Sequence, residues 1–205
     1  MTDLEIEVKF YISDLEPILR RMDAMGAASQ GKWFEINLRF EDPDQSLLRK
    51  NSLLRLRRDF RNRLTFKSSP DSSAGEDGQF KVYRELELEV SSFEVMVRIL
   101  ESLGYHVEQT YEKQRETFHY GNLEICADTL PFGDFLEIEG EKEAIRSMAC
   151  QLGLAWEQRI LQNYLGIFEY IRKKTGMKFT DVTFANFEKV VQDLSGHIRH
   201  FEIGS

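Results

Sequence analysis

Residues 4–12 alternate without interruption: Leu4, Ile6, Val8, Phe10 and Ile12 on one side, Glu5, Glu7, Lys9 and Tyr11 on the other. A period of two marks a strand with one apolar face, and here the opposite face carries only charge and one phenol. The design recurs along the chain. Phe34, Ile36, Leu38 and Phe40 alternate with Glu35, Asn37, Arg39 and Glu41 over 33–41, ahead of the breaker Asp42-Pro43-Asp44. Leu54 and Leu56 oppose Arg55 and Arg57, and after a turn at 59–62, Leu64 and Phe66 oppose Arg63, Thr65 and Lys67, which reads as a hairpin with a basic face. A fifth strand spans 80–90, with Lys81, Tyr83, Glu85, Glu87 and Glu89 on the polar side. Three more follow at 109–119, 122–129 and 134–140, the last two setting Glu124, Cys126, Asp128, Glu137 and Glu139 against apolar neighbours.

Helices fall between the strands. Ser13-Asp14 supplies N-cap chemistry for a helix that ends at Gly26, and Ser91-Ser92 opens another that ends at Gly104. The run Ser68–Gly78 is rich in turn formers and reads as a surface loop dividing two similar halves, each strand, helix, strand, strand, strand. The helix ends Met25-Gly26, Leu103-Gly104 and Leu152-Gly153 add to the suspicion of an internal duplication.

Composition narrows the function. With 41% apolar residues in 205, the chain can bury a sizeable core, and a net charge of -8 disfavours nucleic acid and anionic membranes as partners. No apolar run approaches the ~20 residues of a membrane span, and no signal-peptide pattern is present, so a cytoplasmic location is expected. Cys126 and Cys150 lack the spacing of a disulfide framework or a zinc site and are read as buried thiols. The four histidines lack ligand spacing and are read as surface or satisfied positions.

Eight amphipathic strands with charge at alternate positions are economical if the sheet closes, apolar side under helices and charged side inward. That predicts an α+β fold: an eight-stranded antiparallel β-barrel, or tunnel, with a wet lumen lined by both signs and helices outside. Glu85, Glu87 and Glu89 would lie ~7 Å apart by strand geometry and repel unless cations sit between them. A lumen of this kind suits a polyanion bound with divalent metal.

The motif Glu5-Ile6-Glu7-Val8-Lys9 resembles the ExExK hallmark of the CYTH domain, the triphosphate tunnel metalloenzymes that include class IV adenylate cyclases, thiamine triphosphatases and inorganic triphosphatases. Further blocks agree in order: Leu54-Arg55-Leu56-Arg57, Leu64-Thr65-Phe66-Lys67, Glu85 to Glu89, Lys113-Gln114-Arg115, Asp128, Phe135-Leu136-Glu137-Ile138-Glu139 and Asn163-Tyr164-Leu165. The resemblance spans about residues 3 to 170 and implies a tunnel domain over 1–170 with a C-terminal helical extension over 171–205. It implies Glu5, Glu7, Glu87, Glu89, Asp128, Glu137 and Glu139 as ligands to Mg2+ or Mn2+, hard cations that suit carboxylate oxygens. It implies Lys9, Arg39, Arg55, Arg57, Lys67, Lys113 and Arg115 as the grip on the phosphates, with Glu5, Glu7 and Lys9 at the catalytic centre.

The expected activity is metal-dependent hydrolysis of inorganic tripolyphosphate or a nucleoside triphosphate such as ATP. The alternatives are an adenylate cyclase of the same family, releasing pyrophosphate, and a polyphosphate-binding module without turnover. Glu35, Glu41 and Glu124 are read as solvated strand faces, Arg63 and Lys81 as rim charges, and Glu85 as a weaker candidate than Glu87 and Glu89. Tyr164 could touch a phosphate or base, but is read first as a helix aromatic packing on the barrel. Phe179, Val182, Phe184, Phe187, Val190, Val191 and Leu194 form the stripe of a tail helix that either plugs one end of the tunnel, the favoured reading, or builds a homodimer interface.

Overall fold

The first strand sets the plan. In β1 (Leu4–Ile12) Val8, Phe10 and Ile12 are buried, and so, on the opposite face, are Glu5, Glu7 and Lys9, the last only 1% exposed. Both faces are therefore covered, which an open amphipathic sheet would not require. The computed structural model describes residues 4–70 and 78–204. Residues 71–77 of the loop expected at 68–78 lie outside them.

After β1 the Asp14 carboxylate accepts the Glu16 N–H at 3.0 Å, and α1 (Glu16–Ala24) follows, closing at Gly26 with φ 79°. β2 (Ala28–Glu41) starts five residues before the alternation does, because a bulge between Ser29 and Lys32 carries pairing past Gly31. The short α2 (Ser46–Arg49) is held by Glu41, whose carboxylate accepts the N–H groups of Leu47 and Leu48 at 3.0 and 2.9 Å. Glu41 is thus a buried cap rather than a solvated face, 2% exposed. β3 (Leu53–Arg58) and β4 (Asn62–Ser68) form the expected hairpin, followed by β5 (Lys81–Glu89) and α3 (Phe93–Ser102), where the Ser92 hydroxyl accepts the Val95 N–H at 3.3 Å. Then come β6 (His106–Tyr120), β7 (Leu123–Leu130), β8 (Gly133–Glu139) and α4 (Lys142–Gln151).

Every strand pairing is antiparallel, and the sheet order β5-β4-β3-β2-β6-β7-β8-β1 closes through β5–β1 into a ring of eight. A two-residue strand, β9 (Arg159–Ile160), adds to β1. Exchanging β1 with β5, β2 with β6, β3 with β7 and β4 with β8 leaves every neighbour in the ring unchanged, and a helix follows both β1 and β5. The two halves are thus related by a pseudo-two-fold, as the repeated strand-helix pattern suggests.

The apolar outside of the ring packs under helices. Val8, Phe10, Ile125, Leu136 and Ile138 meet Ile18 and Met22 of α1 and Ile145, Met148 and Ala149 of α4. Leu54, Leu56 and Phe40 meet Phe93 and Leu100 of α3. Each such side chain stabilises the closed ring by roughly 1.5–3 kcal/mol on full burial. A third cluster joins Tyr111, Leu130, Phe132 and Phe135 to Tyr164, Ile167, Phe168 and Ile171 of α5 (Tyr164–Thr175). Tyr111 and Phe135 alternate in phase with the charged lumen residues, so α5 closes one end of the lumen.

Beyond α5 the tail is not one helix. Val182 lies in extended backbone, giving its N–H to Thr110 and accepting from Glu112, both at 2.9 Å, in a parallel bridge beside Tyr111. The Thr183 hydroxyl then caps α6 (Phe184–Phe187), and α7 (Ser195–Arg199) follows. Val182, Phe187, Leu194 and Ile198 are buried against α5, whereas Val191 is exposed. The tail apolar side chains therefore face their own ring. Of the two thiols Cys126 is buried and Cys150 exposed, because position 150 sits on the solvent side of α4.

Candidate functional site

The lumen is a cavity of about 390 Å³. Its lining follows the strand phase: odd-numbered residues on β1, β2, β3, β4, β5, β6 and β8, even-numbered on β7. Of the residues expected at the site, Glu5, Glu7, Lys9, Arg39, Arg55, Arg57, Lys67, Glu87, Lys113, Arg115, Glu137 and Glu139 line it together. So do Glu85, Glu124, Arg63 and Lys81, read from sequence as weaker or peripheral. Two expected ligands do not. Asp128 lies beneath the wall with no exposed surface, and Glu89 stands at the rim, 3.7 Å from Arg61.

Acid and base segregate. Across β7, β8 and β1, Glu124 stands opposite Glu139 and Glu139 opposite Glu7, three carboxylates in register, with Lys81 of β5 next in the row. Lys81 donates to Glu7 at 2.5 Å, Lys67 bridges Glu5 at 2.5 Å and Glu85 at 2.7 Å, and Lys9 reaches Glu137 at 2.8 Å. Burial opposes ionisation of Glu7, but Lys81 and Lys9 outweigh it and hold the carboxyl down to about 2. Glu139 has no cation within ion-pair distance among the described residues; burial, with Glu124 and Glu7 alongside, pushes it up to about 7. Burial likewise pushes Glu5 up to about 8, against Lys67 and with Glu7 and Glu85 adding to the rise. Glu85, which shares Lys67, is held down to about 2 by that lysine in spite of its burial.

The opposite wall is arginine. Arg55 donates to the Tyr111 hydroxyl and the Thr65 hydroxyl, both at 3.3 Å, and Arg57 stands 3.6 Å from Glu35. Glu35 is 2% exposed and lies between Arg57 and Lys113, which overcome its burial and hold its carboxyl well below the usual range. It is a buried counter-ion, not the solvated face expected. Among the described residues the Nε–H groups of Arg39, Arg55, Arg57 and Arg63 are buried with no acceptor, and Asn37 Oδ1 is buried with no donor. Unsatisfied buried donors are costly, and the four arginines that carry them line one wall of the cavity and make it strongly positive.

Beneath that wall Asp128 is a hub. Its Oδ2 accepts from Lys113 at 2.9 Å, Arg115 at 2.5 Å and the Tyr164 hydroxyl at 2.8 Å, and its Oδ1 accepts Arg115 Nε–H at 2.6 Å. Arg115 also donates to Glu137. Lys9 lies 4.4 Å over the Tyr164 ring and Lys113 lies 5.4 Å from its centre. Tyr164, set at the first turn of α5 by the Asn163 cap, is therefore more than packing: it fixes the floor on which two lysines rest. In sequence, Tyr111 and Glu35 were detectable by their two-residue phase with Lys113 and Arg39.

Nine cationic side chains against seven carboxylates line the cavity, an excess that favours an anionic guest. Among the described residues no three carboxylates, histidines or cysteines stand close enough to form a ready-made metal cage. The donor chemistry nevertheless fits a hard divalent cation: oxygen ligands only, with Glu139 free of a cationic partner between two other carboxylates. Glu124, Glu139, Glu7 and Glu5 are the side chains that could hold it.

A closed ring with a lumen divided into acidic and basic walls defines a β-tunnel. The CYTH domain family, by its sequence model, matches residues 3–149, and the chain belongs to that family. Among solved structures, a proposed adenylate cyclase from Vibrio parahaemolyticus has a TM-score of 0.73 at 20% identity, covering 82% of this chain and 99% of its own. A Pyrococcus horikoshii protein is 29% identical, with a TM-score of 0.65 over 78% of this chain and 96% of its own. A Hippeastrum protein, a proposed adenylyl cyclase whose dominant activity is that of a triphosphatase, is 19% identical with a TM-score of 0.57, covering 80% and 95%. No curated protein sequence matches the chain. Among the described residues no helix is long and apolar enough to cross a membrane.

Proposed function

We propose that this chain is a divalent-metal-dependent triphosphatase that works inside the lumen. The observation that carries the reading is the wall of four arginines, Arg39, Arg55, Arg57 and Arg63, that lines the lumen and faces a carboxylate wall whose member Glu139 has no cation within ion-pair distance among the described residues. A linear triphosphate supplies negative charge to the arginine wall, and a cation held by Glu124, Glu139, Glu7 and Glu5 supplies positive charge on the acidic side. Bound there, Mg2+ or Mn2+ would neutralise phosphate charge and favour attack by water.

The chain's own residues do the rest. Arg55 and Arg57 orient the phosphates through fixed, permanently charged forks. Lys9 and Lys113, resting on Tyr164, neutralise charge that grows on the leaving oxygens. α5 closes one end, so bulk water reaches the reacting atoms from the other. The Hippeastrum relative's triphosphatase activity supports hydrolysis; the Vibrio relative's description keeps ATP cyclisation as the competing reaction.

Product analysis by phosphorus NMR and nucleotide chromatography, with tripolyphosphate or ATP and Mg2+ or Mn2+, is the test. Orthophosphate release that stops on chelation is expected. Cyclic AMP with pyrophosphate would overturn hydrolysis in favour of cyclisation, and tight binding without any product would reduce the chain to a binding module.

A further inference from the structure

β6 outruns its neighbour. β7 pairs with it only over Gln114–Tyr120, so among the described residues the stretch of β6 before Gln114 has β2 on one side and no strand of the ring of eight on the other. The tail fills that side at Val182, and side chains fasten both ends of the bridge. The Asp181 carboxylate accepts the Thr110 N–H at 2.8 Å, the Glu112 carboxylate accepts the Phe184 N–H at 2.9 Å, and the Gln109 side-chain amide donates to the Thr180 carbonyl at 2.5 Å. A segment from outside the ring thus completes the tunnel wall where β7 leaves off.

Tyr111 stands between these anchors. It is 6% exposed and shares an apolar cluster with Val182, Phe135 and Phe168, yet it also lines the lumen, where its hydroxyl accepts from Arg55 at 3.3 Å. An oxygen that accepts from a guanidinium still has its own proton to give. Among the described residues the Tyr111 hydroxyl has no other side-chain hydrogen bond, and the cations around it, Arg55, Arg57 and Lys113, are donors only. Burial opposes ionisation of the phenol, but these three outweigh it and draw the group below its ordinary value. The remaining donor therefore faces the place where an anion gathered by those cations would lie.

We infer that Tyr111 is a phosphate-contacting residue, its hydroxyl donating to an oxygen of the phosphate that Arg55 grips, and that the tail stretch 180–184 positions it. This rests on the triphosphate reading of the lumen and adds to the basic wall a neutral donor, backed by a part of the chain that does not itself line the cavity.

Calorimetric titration of the full chain with tripolyphosphate in Mg2+ tests it, with thermal unfolding of each variant alongside. Tyr111→Phe keeps the aromatic ring and should weaken binding on the order of tenfold. To separate direct contact from an effect through Arg55, the same change is made in an Arg55→Ala background, where it should still weaken binding about threefold or more. A 3-fluorotyrosine placed at position 111 should shift its fluorine resonance when tripolyphosphate saturates the protein. Asp181→Ala, which removes an anchor of the tail, should weaken binding about threefold through Tyr111; unchanged affinity with a lowered Tm would make the tail structural only and overturn its positioning role. Unaltered affinity in Tyr111→Phe, no further loss in the Arg55→Ala background, or a fluorine signal unmoved by bound tripolyphosphate would overturn the contact. Absence of tripolyphosphate binding in the wild type would instead bring down the reading of the lumen itself.

Discussion

Glu139 and Glu7 stand directly opposite each other across β8 and β1, like charge against like, and among the described residues only Glu7 of the two has a lysine within ion-pair distance. A carboxylate buried beside two others, with no ion-pair partner among the described residues, destabilises the fold whenever it is ionised. Glu139→Gln should therefore raise the thermal stability of the metal-free protein at pH 8, by on the order of 1 kcal/mol or about 2–4 °C in Tm. The sign follows from its raised carboxyl: relative to wild type the gain is absent below pH 4.5, grows as pH rises toward about 7 and is flat above it. Scanning calorimetry of both proteins at pH 4.5 and 8 checks this, and a destabilised variant at pH 8 would mean that Glu139 has a stabilising partner.

Proton release should accompany cation binding. Glu139 and Glu5, raised to about 7 and 8, must ionise before they can ligate, so Mg2+ affinity should climb with pH up to about 8 and level beyond it, by at most tenfold per unit for each proton displaced. Calorimetric titrations in buffers of different ionisation enthalpy count those protons. A pH-independent affinity between 6 and 8 would exclude both carboxyls from the cation site.

Arg57 lines the basic wall of the cavity with Glu35 at 3.6 Å. Arg57→Ala should weaken triphosphate binding by about 10–100-fold, in line with loss of a charge-assisted contact of about 1.5–3 kcal/mol. Arg57→Lys should recover little, because an ammonium cannot reproduce the guanidinium fork. Steady-state kinetics read this as a rise in KM, and an altered Tm with unchanged KM would make Arg57 merely the counter-ion of Glu35.

Asp128 is bonded by Lys113, Arg115 and Tyr164 at once. Asp128→Asn should leave two buried cations under-compensated and lower Tm on the order of 10 °C, in line with about 3–5 kcal/mol for breaking a buried ionic network. Thermal unfolding measures it; a Tm close to wild type would show the hub to be replaceable.

The strands and their inward face were legible because each alternates apolar with charged residues, a local signal that ring closure does not alter. Burial of the polar face was not local. Glu35, Glu41 and Glu124 look like water-facing positions in their own strands, and only closure and the α2 cap place them against Arg57, Leu47 and the lumen. Arg63 and Lys81 differ for the opposite reason: nearness to loops suggested a rim, yet both keep the inward phase of their strands and line the cavity. In the tail, apolar spacing at 179–194 mimicked a helix, whereas the backbone bonds of Val182 to β6 hold that stretch extended. The Trp33–Phe60 contact joins a strand to a turn 27 positions away and left no trace in the alternation.

The most direct measurement is calorimetric binding of tripolyphosphate with Mg2+ and with EDTA, for wild type, Glu139→Gln and Arg57→Ala. If the two walls share the ligand, wild type binds far more tightly with Mg2+, Glu139→Gln loses most of that difference, and Arg57→Ala loses affinity in both conditions. Equal binding with Mg2+ and EDTA in the wild type, or a Glu139→Gln protein that keeps the full effect of Mg2+, would contradict a cation held on the acidic wall of the tunnel.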